Sequence, residues 1–184
     1  MTLSEQKTSD LYYYYLENGF KNSVISIVNS LGISNKTFFN RYGNKNNSIR
    51  LAFKYWFKVL ENRWFEIQKH CNNAIEELVM FMYTTKKTMT DEHYYYGFIQ
   101  QDRKFLEDET FFKNTLISIL DRGKQKFYIH DTLDVDTYSD FLLNNLFLID
   151  VDEEKRPEML KYVLYAALTE RGMEILDETP FGNH

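Results

Sequence analysis

Apolar residues recur along this chain three and four positions apart. Val24, Ile27, Val28 and Leu31 form one such face, and the spacing predicts a helix over about Ser23–Leu31 with one buried side. Ile49, Ala52, Phe53, Trp56, Phe57 and Leu60 set a longer stripe, starting near Lys45 with Asn44 as N-cap and reaching toward His70. The same reading places a first helix over about Ser4–Glu17, with Leu11, Tyr14 and Tyr15 inward, and others over about 35–42, 75–88, 92–105 and 109–126. Tyr128–Asp136 reads as a loop. Asp136 is the expected cap of a helix over Thr137–Ile149, and Asp152 of one over Glu153–Leu176, whose first turn holds Pro157. Nothing alternates for long with the period of a strand. The expectation is an all-α chain of about nine helices.

The segment Gly32–Lys45 stands out. Ser34 is placed to cap a short helix, and Gly32 can supply the positive φ of a helix-to-helix turn. With the helix before it, this makes a helix-turn-helix unit, which sets its second helix in the DNA major groove. At the other end, Tyr138, Phe141, Leu142, Asn145, Leu146 and Ile149 follow one buried face, while Leu143, Phe147 and Leu148 add apolar surface outside it. Leu160, Val163, Leu164, Ala167 and Leu168 repeat the pattern, with Tyr162 and Tyr165 beside them. Helices apolar beyond one stripe are buried on more than one side. A four-helix interface between two copies, built from the last two helices, satisfies this; a thick monomeric core is the alternative.

Composition sharpens the class. At 184 residues, 43% hydrophobic and 27% charged, with two prolines and seven glycines, the chain reads as globular and helical. No apolar run approaches a membrane span of roughly 18 residues, and the N-terminus lacks an apolar signal core. The single Cys71 cannot form an internal disulfide. Together these favour a cytoplasmic home. The net charge of −5 argues against DNA until its distribution is considered: residues 1–56 hold seven Lys/Arg and three acids, a net of +4, which leaves −9 for the rest. Phosphates respond to charge within roughly 8–10 Å. Ordinary scatter explains the asymmetry equally well.

Gly19-Phe20, Ser23-Val24-Ile25-Ser26-Ile27-Val28, Leu31-Gly32-Ile33-Ser34, Thr37-Phe38-Phe39, Tyr42 and Lys45 fall in register with a known pattern. Over about residues 19–50 the chain resembles the TetR family of bacterial transcription regulators. It departs at a turn one residue shorter before Ser23, at Val28 in place of alanine, at Phe39 in place of a tyrosine that touches phosphate, and at Tyr42 in place of a buried phenylalanine. The resemblance implies a DNA-binding domain over residues 1–47 and a helical ligand-binding and dimerisation domain over 48–184. It implies a homodimer, most often a repressor, that reads a near-palindromic double-stranded operator and is released by a small-molecule effector.

Ile27, Val28, Leu31, Ile33 and Phe38 are expected in the core. Ser34 and Thr37 stand at the start of the recognition helix, where a hydroxyl and free N–H groups can bond phosphate or simply cap the helix. Lys45 is expected on phosphate. Asn35, Lys36, Asn40 and Arg41 carry the groups that match adenine and guanine edges, and Phe39 can pack on sugar or a thymine methyl. These eight residues are the candidate DNA contacts. Tyr83, Tyr94, Tyr95, Tyr96, Phe98, Phe111, Phe112 and Tyr138 suit an aromatic-lined cavity, but such stripes also build plain core, and the ligand-binding residues stay unassigned. His130, Asp131, Asp134 and Asp136 match no standard metal loop, Cys71 beside His70 has no third catalytic partner, and neither a cofactor nor an enzyme activity is expected. The alternative function is a helical protein-interaction module that no longer reads DNA, to which Phe39 and the acidic total point.

Overall fold

A computed structural model of the protein describes residues 3–101, 110–148 and 156–179. Among these residues the secondary structure is ten helices and one isolated antiparallel bridge between Ile129 and Leu168. The helices are α1 Leu3–Asn18, α2 Val24–Ser30, α3 Asn35–Tyr42, α4 Lys45–Gln68, α5 Ala74–Asp91, α6 His93–Gln101, α7 Phe111–Gln125, α8 Val135–Leu148, α9 Arg156–Tyr165 and α10 Glu170–Glu178. The all-α expectation holds. By packing the chain forms two units, Met1–Asn62 with Met89–Glu109, and Arg63–Thr88 with Thr110–His184.

The first unit is organised around aromatic rings. Gly19 ends α1 at φ +67°, and Phe20 turns back to stack on Tyr15 (centroids 4.8 Å, 23°) and Phe53 (5.5 Å, 18°). Tyr95 of α6 stacks on Trp56 at 5.3 Å and donates its hydroxyl to Tyr12 O at 3.1 Å. The predicted inward residues of α1 and α4 are buried: Leu11, Tyr14, Tyr15, Ile49, Ala52, Phe53, Trp56, Phe57 and Leu60. Each aromatic pair contributes about 0.5–1.5 kcal/mol beyond its buried area, so the small headpiece is held by shape as well as by hydrophobicity.

The second unit buries Trp64, Leu78, Phe81, Phe112, Leu116, Leu142, Leu164 and Leu176. Lys113 of α7 bridges Asp140 (2.8 Å) and Asp136 (3.1 Å) of α8, and Arg122 pairs with Glu77. Two expectations are corrected here. Asp136 does not cap α8; Asp134 does, its Oδ1 accepting from Thr137 N at 2.8 Å, and that bond holds its carboxyl below the usual carboxylate range. Nor is the helix expected over 153–176 continuous: its residues 153–155 lie outside the described residues, and the rest divides into two helices. α9 stops at Tyr165 because the segment after α7 takes over the following backbone: His130 N donates to Ala167 O at 3.0 Å, and Thr169 N donates to Tyr128 O at 3.1 Å. Thr169 then caps α10 by accepting from Gly172 N at 3.2 Å. Gly172 is required, since a Cβ there would lie 2.1 Å from Tyr128 O.

Tyr138 joins α8 to α9 through a 2.7 Å hydrogen bond to Val163 O. Phe141, placed by its spacing on the inward stripe, is 46% exposed, and Tyr162 is 72% exposed. Ile149, Asp152 and the expected helical residues 102–105 lie outside the described residues.

Candidate nucleic-acid interface

Local chemistry builds the helix-turn-helix. Ser23 caps α2 by accepting from Ser26 N at 3.3 Å. Gly32 reverses the chain at φ +62°, and Ile33 N donates to Val28 O at 3.0 Å across the turn. Ser34 then caps α3 by accepting from Thr37 N at 3.0 Å. Ile27, Val28, Phe38 and Tyr42 are buried, Leu31 and Ile33 half-buried. Phe38 and Tyr42 lie one turn apart with ring centroids at 5.2 Å, so they face the headpiece core and fix the roll of α3.

That roll decides where the candidate contacts lie. Ser34, Asn35, Lys36, Phe39, Asn40 and Arg41 are exposed, and Thr37 and Lys45 are half-buried. Lys36, Thr37 and Asn40 thus lie on the side of α3 away from Phe38 and Tyr42, Phe39 and Arg41 flank that side, and Asn35, three positions before Phe38 on its stripe, is exposed at the first turn. Thr37 also carries the local bond open to it, its Oγ1 lying 2.9 Å from Ser34 Oγ. Burial is the main cause that raises the Tyr42 hydroxyl's pKa, with Arg41 opposing it and Asp10 adding to it. Lys36 and Lys45 form no ion pair with a carboxylate among the described residues, which leaves their charge available to an anion.

The expected N-cap Asn44 is in place before Lys45, while sequence reasoning missed Asn47 and Ser48, which also hold that turn. Gly43 ends α3 at φ +74°. Asn44 Oδ1 accepts from Asn47 N at 2.9 Å, and Asn47 Nδ2 donates to Tyr42 O at 2.8 Å. Ser48 Oγ donates to Lys45 O at 2.7 Å. The asparagine pair Asn44 and Asn47 was the available signal, since asparagine competes for backbone groups at turns.

The other chemical candidates are inert or structural. Asp134 serves as a helix cap. Burial first, and Glu76 and Glu77 next, push the Cys71 thiol up to about 11, so it is protonated and weakly nucleophilic at neutral pH. No described group of three or more His, Cys, Asp or Glu is arranged to hold a metal. No helix among the described residues is long and apolar enough to cross a membrane.

No protein-family model matches the sequence, and no curated protein matches it. Solved structures do match, over nearly the whole chain. RolR without ligand has a TM-score of 0.70 at 12% identity, covering 97% of this chain and 98% of that one. The transcriptional regulator FadR from Bacillus subtilis, in complex with stearoyl-CoA, has 0.62 at 21%, covering 93% and 96%. The TetR family protein CprB from S. coelicolor A3(2) has 0.64 at 11%, covering 96% and 98%. The fold of this chain is thus the one found in TetR-family transcription regulators, an N-terminal helix-turn-helix followed by further helices.

Proposed function

We propose that this chain is a ligand-responsive, sequence-specific DNA-binding transcription regulator of the TetR type, acting in the cytoplasm as a repressor and not as an enzyme. The observation that carries the reading is the orientation of α3. Phe38 and Tyr42 point inward, while Asn35, Lys36, Asn40 and Arg41 are exposed on a helix capped at both ends. Residues 1–47 act as the DNA-binding domain, with Ser34, Thr37 and Lys45 on phosphate and Asn35, Lys36, Phe39, Asn40 and Arg41 toward the base edges. Residues 48–184 act as the effector-binding and dimerisation domain. Exposed Phe141 and Tyr162 support an interface between two copies, since large apolar side chains left on one subunit's surface are covered when a second docks. The twofold axis then pairs two half-sites about 34–36 Å apart in a near-palindromic operator.

Selection of bound duplexes from a random library, followed by titration of the winning site over several salt concentrations, tests the reading. A palindromic consensus bound far more tightly than random DNA is the expected result. Failure to enrich any sequence would favour the interaction-module reading, in which exposed Phe39 is a protein contact.

A further inference from the structure

The headpiece unit holds a cleft of about 470 Å³ that the recognition helix does not use. It opens between the C-terminal end of α1 with the Gly19–Lys21 turn and the first half of α6. Its volume lies within the roughly 300–1,000 Å³ of small-molecule sites. Phe20 and Phe98 line it with ring centroids 4.7 Å apart. Tyr94 closes one side, packed so near Gly19 that a Cβ there would sit 3.0 Å from its ring. Lys21 and His93 are both exposed at the cleft, and no described lining residue is acidic. Gly97, one turn beyond His93, has nothing within 4 Å of where a Cβ would be, so the helix presents bare backbone to open space.

We propose that this cleft is a binding site for a small planar aromatic carboxylate. Phe20, Tyr94 and Phe98 offer aromatic surface to a flat apolar body, and Lys21 with His93 offers two donors to a carboxylate without a competing acid among the described lining residues. Gly97 keeps the width that a ring needs. The bound ring would engage Phe20, which already stacks on Tyr15 of α1 and Phe53 of α4, and so would stiffen the turn leading into the helix-turn-helix. A consequent change in operator affinity rests on the DNA-binding reading; the binding itself does not.

Fluorine NMR of the full-length protein with 6-fluoro-2-naphthoate, against the matching neutral amide, tests this without DNA. The carboxylate should broaden and titrate, binding about tenfold more tightly than the amide, the scale of one charge-assisted hydrogen bond. Gly97→Leu, whose Cβ has no atom within 4 Å and whose side chain extends into the cleft, should abolish binding of both while preserving the melting temperature. Lys21→Gln, on the surface, should reduce the carboxylate to the affinity of the amide. No broadening with wild-type protein at millimolar probe, equal binding of acid and amide, or undiminished binding by Gly97→Leu would each overturn the proposal. Loss of DNA binding in a separate assay would leave it standing.

Discussion

The hydroxyls of Tyr15 and Ser48 lie 2.8 Å apart, both side chains fully buried, tying α1 to the first turn of α4. Ser48 Oγ donates its proton to Lys45 O, so it receives the proton of Tyr15. The two single deletions are therefore unequal. Tyr15→Phe leaves Ser48 with its bond to Lys45 O and should cost about 1 kcal/mol; Ser48→Ala leaves a buried phenol unpartnered and should cost about 2 kcal/mol. Thermal or urea denaturation of both variants measures the difference.

The same phenol has a pH signature. Burial pushes Tyr15 up to about 12, with the Ser48 bond opposing and Tyr14 adding, from an ordinary value of 10.0. A folded-state pKa above the unfolded one means that the folded state keeps the proton longer. Its stability contribution is full below pH 10 and is lost as pH rises from there to about 12. The stability advantage of wild type over Tyr15→Phe should be constant at neutral pH and shrink through that window, as read by urea midpoints at stepped pH.

Much of this headpiece is legible in the sequence, because its signals are local. Ser34 sits three residues before the N–H it caps, Gly32 stands where φ must be positive, and Phe38 and Tyr42 are one turn apart on one face. The break between α9 and α10 is not local. Leu160, Leu164, Leu168 and Leu176 keep helical spacing straight through it, and only the distant carbonyl of Tyr128 and N–H of His130 show why the chain leaves the helix. Thr169 followed by Gly172 hints at a cap, but a threonine inside an apolar pattern predicts nothing alone. Phe141 shows another limit: periodicity marks a face as apolar without telling whether the same chain covers it. The cleft by Gly97 joins segments far apart in sequence and has no periodic trace at all.

Two glycines of the second unit should respond differently to one added methyl group. At Gly172 the methyl would meet the backbone oxygen of Tyr128 at 2.1 Å; at Gly123 it would meet Ile129 Cδ1, the end of a flexible side chain, at 2.6 Å. Backbone cannot yield without breaking the Thr169–Tyr128 bond, so Gly172→Ala should lose about 3 kcal/mol. Gly123→Ala should lose about 1 kcal/mol or less, since alanine also favours the helix. Urea denaturation of the two variants side by side is the check; equal losses would contradict the geometry.

Cys71 should be slow to alkylate. With its thiol pushed up to about 11 by burial and then by Glu76 and Glu77, the thiolate fraction at neutral pH is far below that of an ordinary cysteine. Iodoacetamide labelling followed by mass spectrometry should show a rate rising about tenfold per pH unit until near that value. Replacing Glu76 and Glu77 by glutamine should speed labelling at neutral pH, more weakly than unfolding does, because burial is the larger cause.

Arg41 and Lys45 should divide the work of recognition if the proposed function holds. Arg41 is exposed on α3 near its C-terminal end, and Lys45 opens α4 behind the Asn44–Asn47 turn. Arg41→Ala should relax preference at one base pair by about 1–3 kcal/mol while random DNA binds nearly as before. Lys45→Ala should weaken every sequence and reduce the slope of log affinity against log salt by about 0.9, one phosphate's counterion. Titrations of consensus and scrambled duplexes over several salt concentrations separate the two patterns.

Phe39 extends the same argument to an uncharged contact. It is 50% exposed on α3, held edge-on against Phe38 at 5.6 Å and 88°, so its ring is braced from behind while its outer face is open. A phenyl ring cannot donate to phosphate; what it can bury is an apolar group, and the thymine methyl is the one the major groove offers. Replacing the contacted thymine by deoxyuridine removes that methyl alone and should weaken wild-type binding about fourfold, the worth of one buried methyl. Phe39→Ala should bind the two duplexes equally. Phe39→Tyr should instead tighten binding to all sequences by several-fold through a hydroxyl bond to phosphate, with the salt slope unchanged, because a neutral donor releases no counterion. If each thymine in the site tolerates the exchange equally in wild type and Phe39→Ala, Phe39 reads no methyl group.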